Sequence, residues 1–83
     1  MEPEIIYVPS AFKHGQTRED ILHAYRTMLC DGNLDGKGNK CAYFGFNRNG
    51  NLIEVFYNPV NNGAIKVFHA MKYRESVINQ CRR

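Results

Sequence analysis

The sequence has no tryptophan and only three cysteines, and no apolar run approaches the length of a membrane span. A span needs about 18 consecutive apolar residues, so we expect no membrane partner. Cys30, Cys41 and Cys81 are odd in number and form no Cys-x-x-Cys pair. The acidic start Met1–Glu4 is unlike the basic start of a secretory signal. These absences exclude a disulfide framework and predict reduced thiols in a cytoplasmic protein.

Eighty-three residues suffice for one small core, so residues 1–83 are predicted to form a single domain. Charged residues make up 23% of the chain, an ordinary globular proportion that excludes a disordered or collagen-like protein. The charge is uneven, however. Residues 1–36 have three Lys/Arg against six Asp/Glu, whereas residues 37–83 have eight Lys/Arg against two. A basic half of this kind is typical of a polyanion-binding surface and, equally, of a solubilising face.

Periodicity predicts an edge strand, a helix, three further strands and a closing helix. The β-rich run Glu4–Val8 ends before Pro9. Thr17 is a suitable helix cap, because its hydroxyl can accept from the N–H of Asp20 and apolar residues then recur at helical spacing. The later strand-like runs and the closing helix lie near 41–47, 51–58, 64–71 and 73–81. This β-α-β-β-β-α order predicts an α+β domain with its helices on one face of a small antiparallel sheet.

Two glycine-containing segments bear on how the strands connect. Asn49-Gly50 indicates a two-residue hairpin, which would place Phe44 opposite Val55. In that register Tyr43, Glu54, Phe56 and His69 share one face. The second segment, 31–39, is predicted to be a loop. It opens like a calcium loop but lacks the closing glutamate that such a loop needs, so no metal site is predicted.

The last two strand-like runs contain the candidate catalytic residues. Glu54 lies within an apolar run, where it could be paired with Lys66, or could act as a general base or orient one. His69 ends a strand, and an imidazole can transfer the protons that phosphodiester cleavage requires; a purely structural histidine is the alternative. Lys72 and Arg74 follow within five residues and can bind phosphate.

Other cations and aromatic residues are candidates for RNA contacts. Lys13-His14-Gly15 precedes the helix, as a cationic patch or as a turn in which Gly15 adopts an unusual backbone angle. Tyr43 and Phe56 can stack on bases or belong to the core. The predicted RNA-binding residues are Lys13, His14, Tyr43, Arg48, Arg82 and Arg83.

Several short strings occur together in this chain. They are Lys13-His14-Gly15, Thr17–Ile21, Tyr43–Phe46, Leu52–Val55 and Val67–Arg74. In this order they resemble the BrnT-like toxins, which belong to the RelE/ParE superfamily of toxin–antitoxin systems. The resemblance covers roughly residues 12–76, and the string from His69 to Arg74 is its most specific part.

The resemblance implies a RelE-like ribonuclease that cleaves mRNA, free or on the ribosome, and is held inactive by a cognate antitoxin. It further implies that the RNA 2′-hydroxyl is the nucleophile and that neither metal nor cofactor is used. The family's strand-end histidine falls on His69, and its following cations fall on Lys72 and Arg74. Its loop histidine falls on His14 and its strand acid on Glu54.

Two functional hypotheses therefore stand side by side. The first is a toxin endoribonuclease, and the second is a non-catalytic module of the same fold that binds RNA or a protein. Convergence of Glu54, His69 and Arg74 on an open cleft would favour the first hypothesis. A Glu54–Lys66 pair, or a His69 side chain directed into the core, would favour the second.

Overall fold

The computed structural model describes residues 2–81 of the chain. It contains five strands, two α-helices and two short 3₁₀ turns. The strands are β1 (Ile5–Tyr7), β2 (Cys30–Asn33), β3 (Cys41–Phe46), β4 (Leu52–Pro59) and β5 (Ile65–Lys72). The helices are α1 (Arg18–Arg26) and α2 (Glu75–Cys81), and the 3₁₀ turns are Pro9–Phe12 and Asn61–Gly63. The α+β class is therefore confirmed, with one strand more than the sequence predicted.

All five strands form one sheet in the order β1-β5-β4-β3-β2. β1 lies at an edge, as predicted, but it pairs with β5 in parallel, with Ile5 opposite Ile65. The other three pairs are antiparallel, so the sheet is mixed and the prediction of an antiparallel sheet was wrong. The segment that contains α1 connects β1 at one edge of the sheet to β2 at the other edge. Strands β2 to β5 then return across the sheet, and β5 lies beside β1 and parallel to it.

The additional strand, β2, overlaps the start of the segment 31–39 that was predicted to be a loop. Cys30 is paired with Phe44, and Asn33 is paired with Cys41. The sequence Cys-Asp-Gly-Asn has low β-propensity. Strand formation here follows from pairing with β3, which the local sequence does not encode; residues 34–40 remain outside any strand or helix.

The two helices pack on opposite faces of the sheet. Ile21 of α1 belongs to a core with Tyr43, whereas Ile78 of α2 belongs to a second core with Phe44. Tyr43 and Phe44 are neighbours in β3, and their side chains project to opposite sides of the sheet. The prediction of helices on one face was therefore wrong, because β3 is buried on both sides.

The β3–β4 loop is wider than the predicted two-residue turn. The backbone N–H of Asn47 donates to the Asn51 carbonyl over 2.9 Å, so residues 48–50 form the loop. Gly50 has a φ of +83°, as in a three-residue hairpin loop. The buried Asn47 side chain holds this loop, because its Oδ1 accepts from the N–H groups of Asn49 and Asn51.

The wider loop shifts the β3–β4 register by one residue. Phe44 is opposite Glu54 rather than Val55. Because side chains alternate along a strand, the shift places Tyr43 on the α1 face and Glu54 on the α2 face, so these two residues do not share a face as predicted. The predicted grouping of Glu54 with Phe56 and His69 is nevertheless present on that face.

Helix α1 begins where the sequence predicted. Thr17 Oγ1 accepts from the Asp20 N–H over 3.1 Å, and Asp20 Oδ2 accepts from the Thr17 N–H over 3.0 Å. These reciprocal bonds form a capping box. Asp20 Oδ1 also accepts from the Arg48 N–H over 3.0 Å, so the helix start is tied to the β3–β4 loop.

Candidate functional site

A β-bulge between β4 and β5 shapes the candidate site. Phe56 is paired with His69, and the next pair is Tyr57 with Val67, so Phe68 is the additional residue of the bulge. The ring centroids of Phe68 and His69 lie 6.3 Å and 4.3 Å from that of Phe56. The bulge thus brings two successive side chains of β5 to the α2 face, beside Phe56.

Glu54 is at the centre of the site and has no solvent exposure. Its Oε1 accepts from the backbone N–H of Arg74 over 2.9 Å. Its Oε2 accepts from Arg74 Nε over 3.0 Å, from Arg74 Nη2 over 2.6 Å and from His69 Nε2 over 3.0 Å. A buried carboxylate needs this degree of pairing, because its desolvation would otherwise cost several kcal/mol.

The backbone holds Arg74 in position. Tyr73 N–H donates to the Leu52 carbonyl over 3.3 Å and extends the β4–β5 pairing beyond β5. The Arg74 carbonyl then accepts the first bonds of α2, from Val77 and Ile78, at 3.0 Å each. Arg74 therefore connects the strand to the helix. Its guanidinium is half exposed, and the hydrogen bond and charge of Glu54 raise its pKa above the ordinary value.

His69 lies at the border between the core and the surface, with 19% of its side chain exposed. Its ring stacks on Phe56 at an interplanar angle of 26°. A carboxylate can only accept, so the bond to Glu54 requires a proton on Nε2 of His69. In the neutral imidazole, Nδ1 then has the lone pair and is the nitrogen that can exchange a proton with a ligand.

His14 lies beside His69, although they are 55 positions apart in the sequence. Their ring centroids are 5.5 Å apart in an edge-to-face arrangement. The 3₁₀ turn before His14 is fixed to β5, because Ser10 Oγ donates to the Phe68 carbonyl over 2.7 Å. Gly15 follows with a φ of +87°, as predicted for this turn. The structure thus places two imidazoles, a guanidinium and a buried carboxylate together.

The other predicted cations lie outside this cluster. Lys72 is paired with Ile53, whose side chain is in the α1-side core, and Lys72 lines a neighbouring pocket instead. Lys13 is exposed in the loop that contains His14. Arg48 is exposed in the β3–β4 loop, where its backbone binds Asp20. The Glu54–Lys66 pair, considered as an alternative, is not formed, because Lys66 is paired with Asn58, four residues along β4 from Glu54. Glu54 binds His69 and Arg74 instead.

Tyr43 was predicted to contact RNA, and the structure contradicts this. Its side chain is fully buried under α1, and its hydroxyl donates to the Ile21 carbonyl over 2.9 Å. Burial raises the pKa of this phenol far above its ordinary value. Tyr43 is therefore a core residue. Arg82 and Arg83, also predicted to bind RNA, lie outside the described residues.

Phe68 is the site residue that the sequence did not indicate. Its place beside Phe56 results from the bulge, and a bulge of this kind has no signal in the strand pattern Ile65–Lys72. The two residues form the apolar side of the site, next to the ring of His69. Both rings are half-buried, whereas His14 and Arg74 are exposed.

Comparison with known proteins gives no relative: no family model, curated protein or solved structure matches this chain. Among residues 2–81, no helix has the length and apolar character needed to cross a membrane. Within the same residues, no three His, Cys, Asp or Glu side chains form a group that could hold a metal ion. The three cysteines are not paired with one another.

Proposed function

We propose that this chain is a metal-independent endoribonuclease and acts as the toxin of a toxin–antitoxin pair, cleaving mRNA and inhibiting translation. The observation that carries the proposal is the cluster in which buried Glu54 holds both His69 and Arg74 at the surface, beside His14. Proton-transfer groups and a cation beside one open position are what cleavage of a phosphodiester by its own 2′-hydroxyl requires. The RelE-like fold and the toxin role rest on the sequence resemblance.

In the proposed reaction, the 2′-oxygen bonds to phosphorus and the bond to the 5′-oxygen breaks. One imidazole removes the 2′-hydroxyl proton, and the other donates a proton to the departing 5′-oxygen. We assign these transfers to His69, through Nδ1, and to His14. The products are a 2′,3′-cyclic phosphate and a 5′-hydroxyl. The bonds and protons of this reaction balance without a metal or a cofactor.

Arg74 and Glu54 have supporting roles in this proposal. Arg74 donates to Glu54 through Nε and Nη2, which leaves Nη1 for a phosphate oxygen. A guanidinium at that position stabilises the negative charge that develops on the phosphoryl oxygens. Glu54 cannot contact RNA, because it has no solvent exposure. Of the roles considered for Glu54, orientation of His69 and Arg74 therefore fits its burial better than proton abstraction.

The second candidate function is a non-catalytic module that binds RNA or a protein. One observation favours it: the Arg74 guanidinium makes two hydrogen bonds to Glu54 within the protein. A guanidinium held by these bonds can have a purely structural role. The two candidates differ in whether His69 must transfer a proton, so replacement of His69 distinguishes them.

Inducible expression of the chain without its antitoxin tests the proposal. We expect wild type to stop growth and to lower protein synthesis, and we expect His69→Ala to relieve both effects. Loss of a general acid–base group costs about 10²–10⁴ in rate. The matched control is His23→Ala, because His23 lies on α1 and binds the Phe46 carbonyl, away from the site.

The expression test requires that each variant is folded. Circular dichroism and soluble yield should match wild type for both histidine variants. Full toxicity of folded His69→Ala would exclude proton transfer by His69 and favour the binding module. Absence of any effect of wild type on growth or translation would count against the toxin role itself.

A further inference from the structure

Phe68 is a large apolar side chain that belongs to neither core of the described residues 2–81. It is half-buried and lies on the α2 face of β5. Within the same residues, α2 packs on β2 and β3 and leaves β4 and β5 on this face without a helix above them. A phenylalanine in a strand is ordinarily explained by its burial in a core. Phe68 has no such explanation, and the proposed reaction gives it no role.

The backbone holds Phe68 in a fixed position. Phe68 is the additional residue of the β-bulge, and its carbonyl accepts from Ser10 Oγ over 2.7 Å. Its ring meets the Phe56 ring edge-to-face, with 63° between the ring planes and 6.3 Å between the centroids. An edge-to-face contact uses at most one flat side of a ring. Phe68 therefore keeps a flat side that a planar ligand can contact.

Phe56 connects Phe68 to the catalytic cluster by direct contacts. The His69 ring stacks on Phe56 with 4.3 Å between the centroids, and the guanidinium carbon of Arg74 lies 5.8 Å from the Phe56 centroid. Phe68 and His69 are also consecutive in β5, so their Cα atoms are about 3.8 Å apart. An RNA strand with a phosphate at Arg74 can therefore place a neighbouring base at Phe68.

Cations lie on both sides of Phe68. Lys66 is exposed and lies on the same face of β5, because Val67, the next residue, is buried in the α1-side core. On the other side of Phe68 are the exposed side chains of His14 and Arg74. An aromatic ring within a positively charged surface is typical of proteins that bind single-stranded nucleic acid. The charges thus favour a polyanion over an apolar peptide as the partner of this ring.

We propose that Phe68 stacks on an unpaired base next to the scissile phosphate, so that the substrate is single-stranded RNA. This inference rests on the proposed RNA-cleaving function. Proteins commonly bind unpaired RNA bases by stacking on aromatic side chains, and such stacking tolerates any sequence because every base has a flat face. Phe68 touches no reacting atom in this proposal. It is a positioning residue that places the strand across His69 and Arg74.

The chain has no tryptophan, which makes a direct test of stacking possible. In Phe68→Trp the new indole is the only one, and a base that stacks on it lowers its fluorescence. The probe is a short single strand of 2′-O-methyladenosine nucleotides, which lacks the 2′-hydroxyl and cannot be cleaved. We expect this strand to quench the fluorescence, and we expect an abasic strand of the same length to bind without quenching. Phe46→Trp is the matched control, because Phe46 is also half-buried but lies at the end of β3, opposite Leu52.

Phe68→Leu measures how much the stacking contributes to binding. We expect this variant to bind a labelled adenosine strand about tenfold less tightly than wild type, and to bind the abasic strand equally well. Phe46→Leu should bind both strands like wild type. Fluorescence anisotropy gives the affinities, and circular dichroism checks that each variant is folded. If Phe68→Leu does not fold, the quenching comparison between the two tryptophan variants decides.

The outcomes separate this inference from the proposed function. Equal quenching in the two tryptophan variants, or wild-type affinity for both strands in folded Phe68→Leu, would overturn the stacking role and leave the proposed function intact. The apolar ring would then suit a protein partner. Base-dependent binding by a wild-type chain that does not cleave RNA would support the stacking role and contradict the proposed cleavage. Failure of wild type to bind either strand would overturn both proposals.

Discussion

At the scale of single residues, Glu54 decides how the site is organised. It is a fully buried anion, and its two oxygens accept four hydrogen bonds from only two residues, His69 and Arg74. Each donor satisfies part of a charge that would be costly to bury alone. The same bonds fix the tautomer of His69 and the direction of the Arg74 guanidinium. Stability and the geometry of the site therefore depend on one carboxylate.

Replacement of Arg74 tests this dependence. Arg74→Met keeps most of the aliphatic stem but leaves the Glu54 carboxylate without its cation, and we expect a loss of about 3 kcal/mol in the free energy of unfolding. Arg48→Met is the control, because Arg48 is exposed and its observed bond is made by its backbone. Urea denaturation measures both variants. A loss in Arg74→Met no larger than that of Arg48→Met would show that the carboxylate does not need this partner.

The polar residues of the site could be selected from the sequence, but their roles could not. A carboxylate inside an apolar strand, a strand-end histidine and nearby cations are visible as residue types. Whether Glu54 reaches solvent depends on the β3–β4 register and on the packing above it. Whether Lys72 or Arg74 binds Glu54 depends on which face of the sheet each side chain reaches near the end of β5. Both properties arise from long-range pairing.

At the scale of elements, α1 lies unusually close to the sheet at Gly45. A Cβ built on Gly45 would be 1.9 Å from the Ala24 carbonyl oxygen and 2.7 Å from its carbonyl carbon. Both atoms belong to the backbone of α1, so the contact cannot be relieved by rotation of a side chain. The absence of a side chain at Gly45 therefore allows α1 to cover β3.

Substitution at two glycines tests this packing. We expect Gly45→Ala to destabilise the protein by about 3 kcal/mol, since the helix must move away from the sheet. Gly32→Ala is the matched control, because its Cβ would meet Cys81 at 3.6 Å, an ordinary contact. Thermal unfolding compares the two variants. Equal transition temperatures would contradict the close approach of α1.

Asp20 links α1 to the β3–β4 loop, and this link predicts a pH dependence. Partial burial would raise its pKa, but hydrogen bonds from the backbone of Arg48 and from Thr17 outweigh this effect, so the pKa lies below the ordinary value. The folded state thus binds fewer protons than the unfolded state around this pKa. The stability that Asp20 contributes is present above about pH 4 and is lost as the pH falls through its folded pKa.

Asp20→Asn makes this dependence measurable. The variant should be less stable than wild type at neutral pH, and the difference should shrink as the pH is lowered below about 4. Urea midpoints measured between about pH 2.5 and 7 give the comparison. A difference that stays constant over this range would mean that the carboxylate charge of Asp20 does not stabilise the link.

Local patterns predicted most elements but not β2 or the hairpin register. α1 is encoded by its cap and its apolar spacing, and its capping box is present in the structure. β2 has no such pattern, because Asp31 and Gly32 are weak strand formers held by pairing with β3. The loop after Asn47 is set by the buried amide of that residue, which Asn49-Gly50 alone does not reveal.

At the scale of the whole molecule, the sheet separates the larger core from the candidate site. The face under α1 holds the larger core, with Ile21, Tyr43 and Val55 fully buried. On the other face α2 covers β2 and β3, and His69 and its partners lie on β4, β5 and the segment that leads into α2. The sequence could not predict this division, because it depends on α2 packing opposite α1 and on β1 joining the far edge of the meander.

The central claim is that this second face cleaves RNA without a metal. Its most direct test incubates single-stranded RNA with wild type and with folded His69→Ala in excess EDTA, followed by mass analysis of the ends. We predict cleavage by wild type that leaves a 2′,3′-cyclic phosphate or its 3′-phosphate product, slowed by about 10²–10⁴ in His69→Ala and absent where the cut site has a 2′-deoxy sugar. Cleavage that stops in EDTA and returns with a divalent metal, or no cleavage by wild type, would contradict the claim.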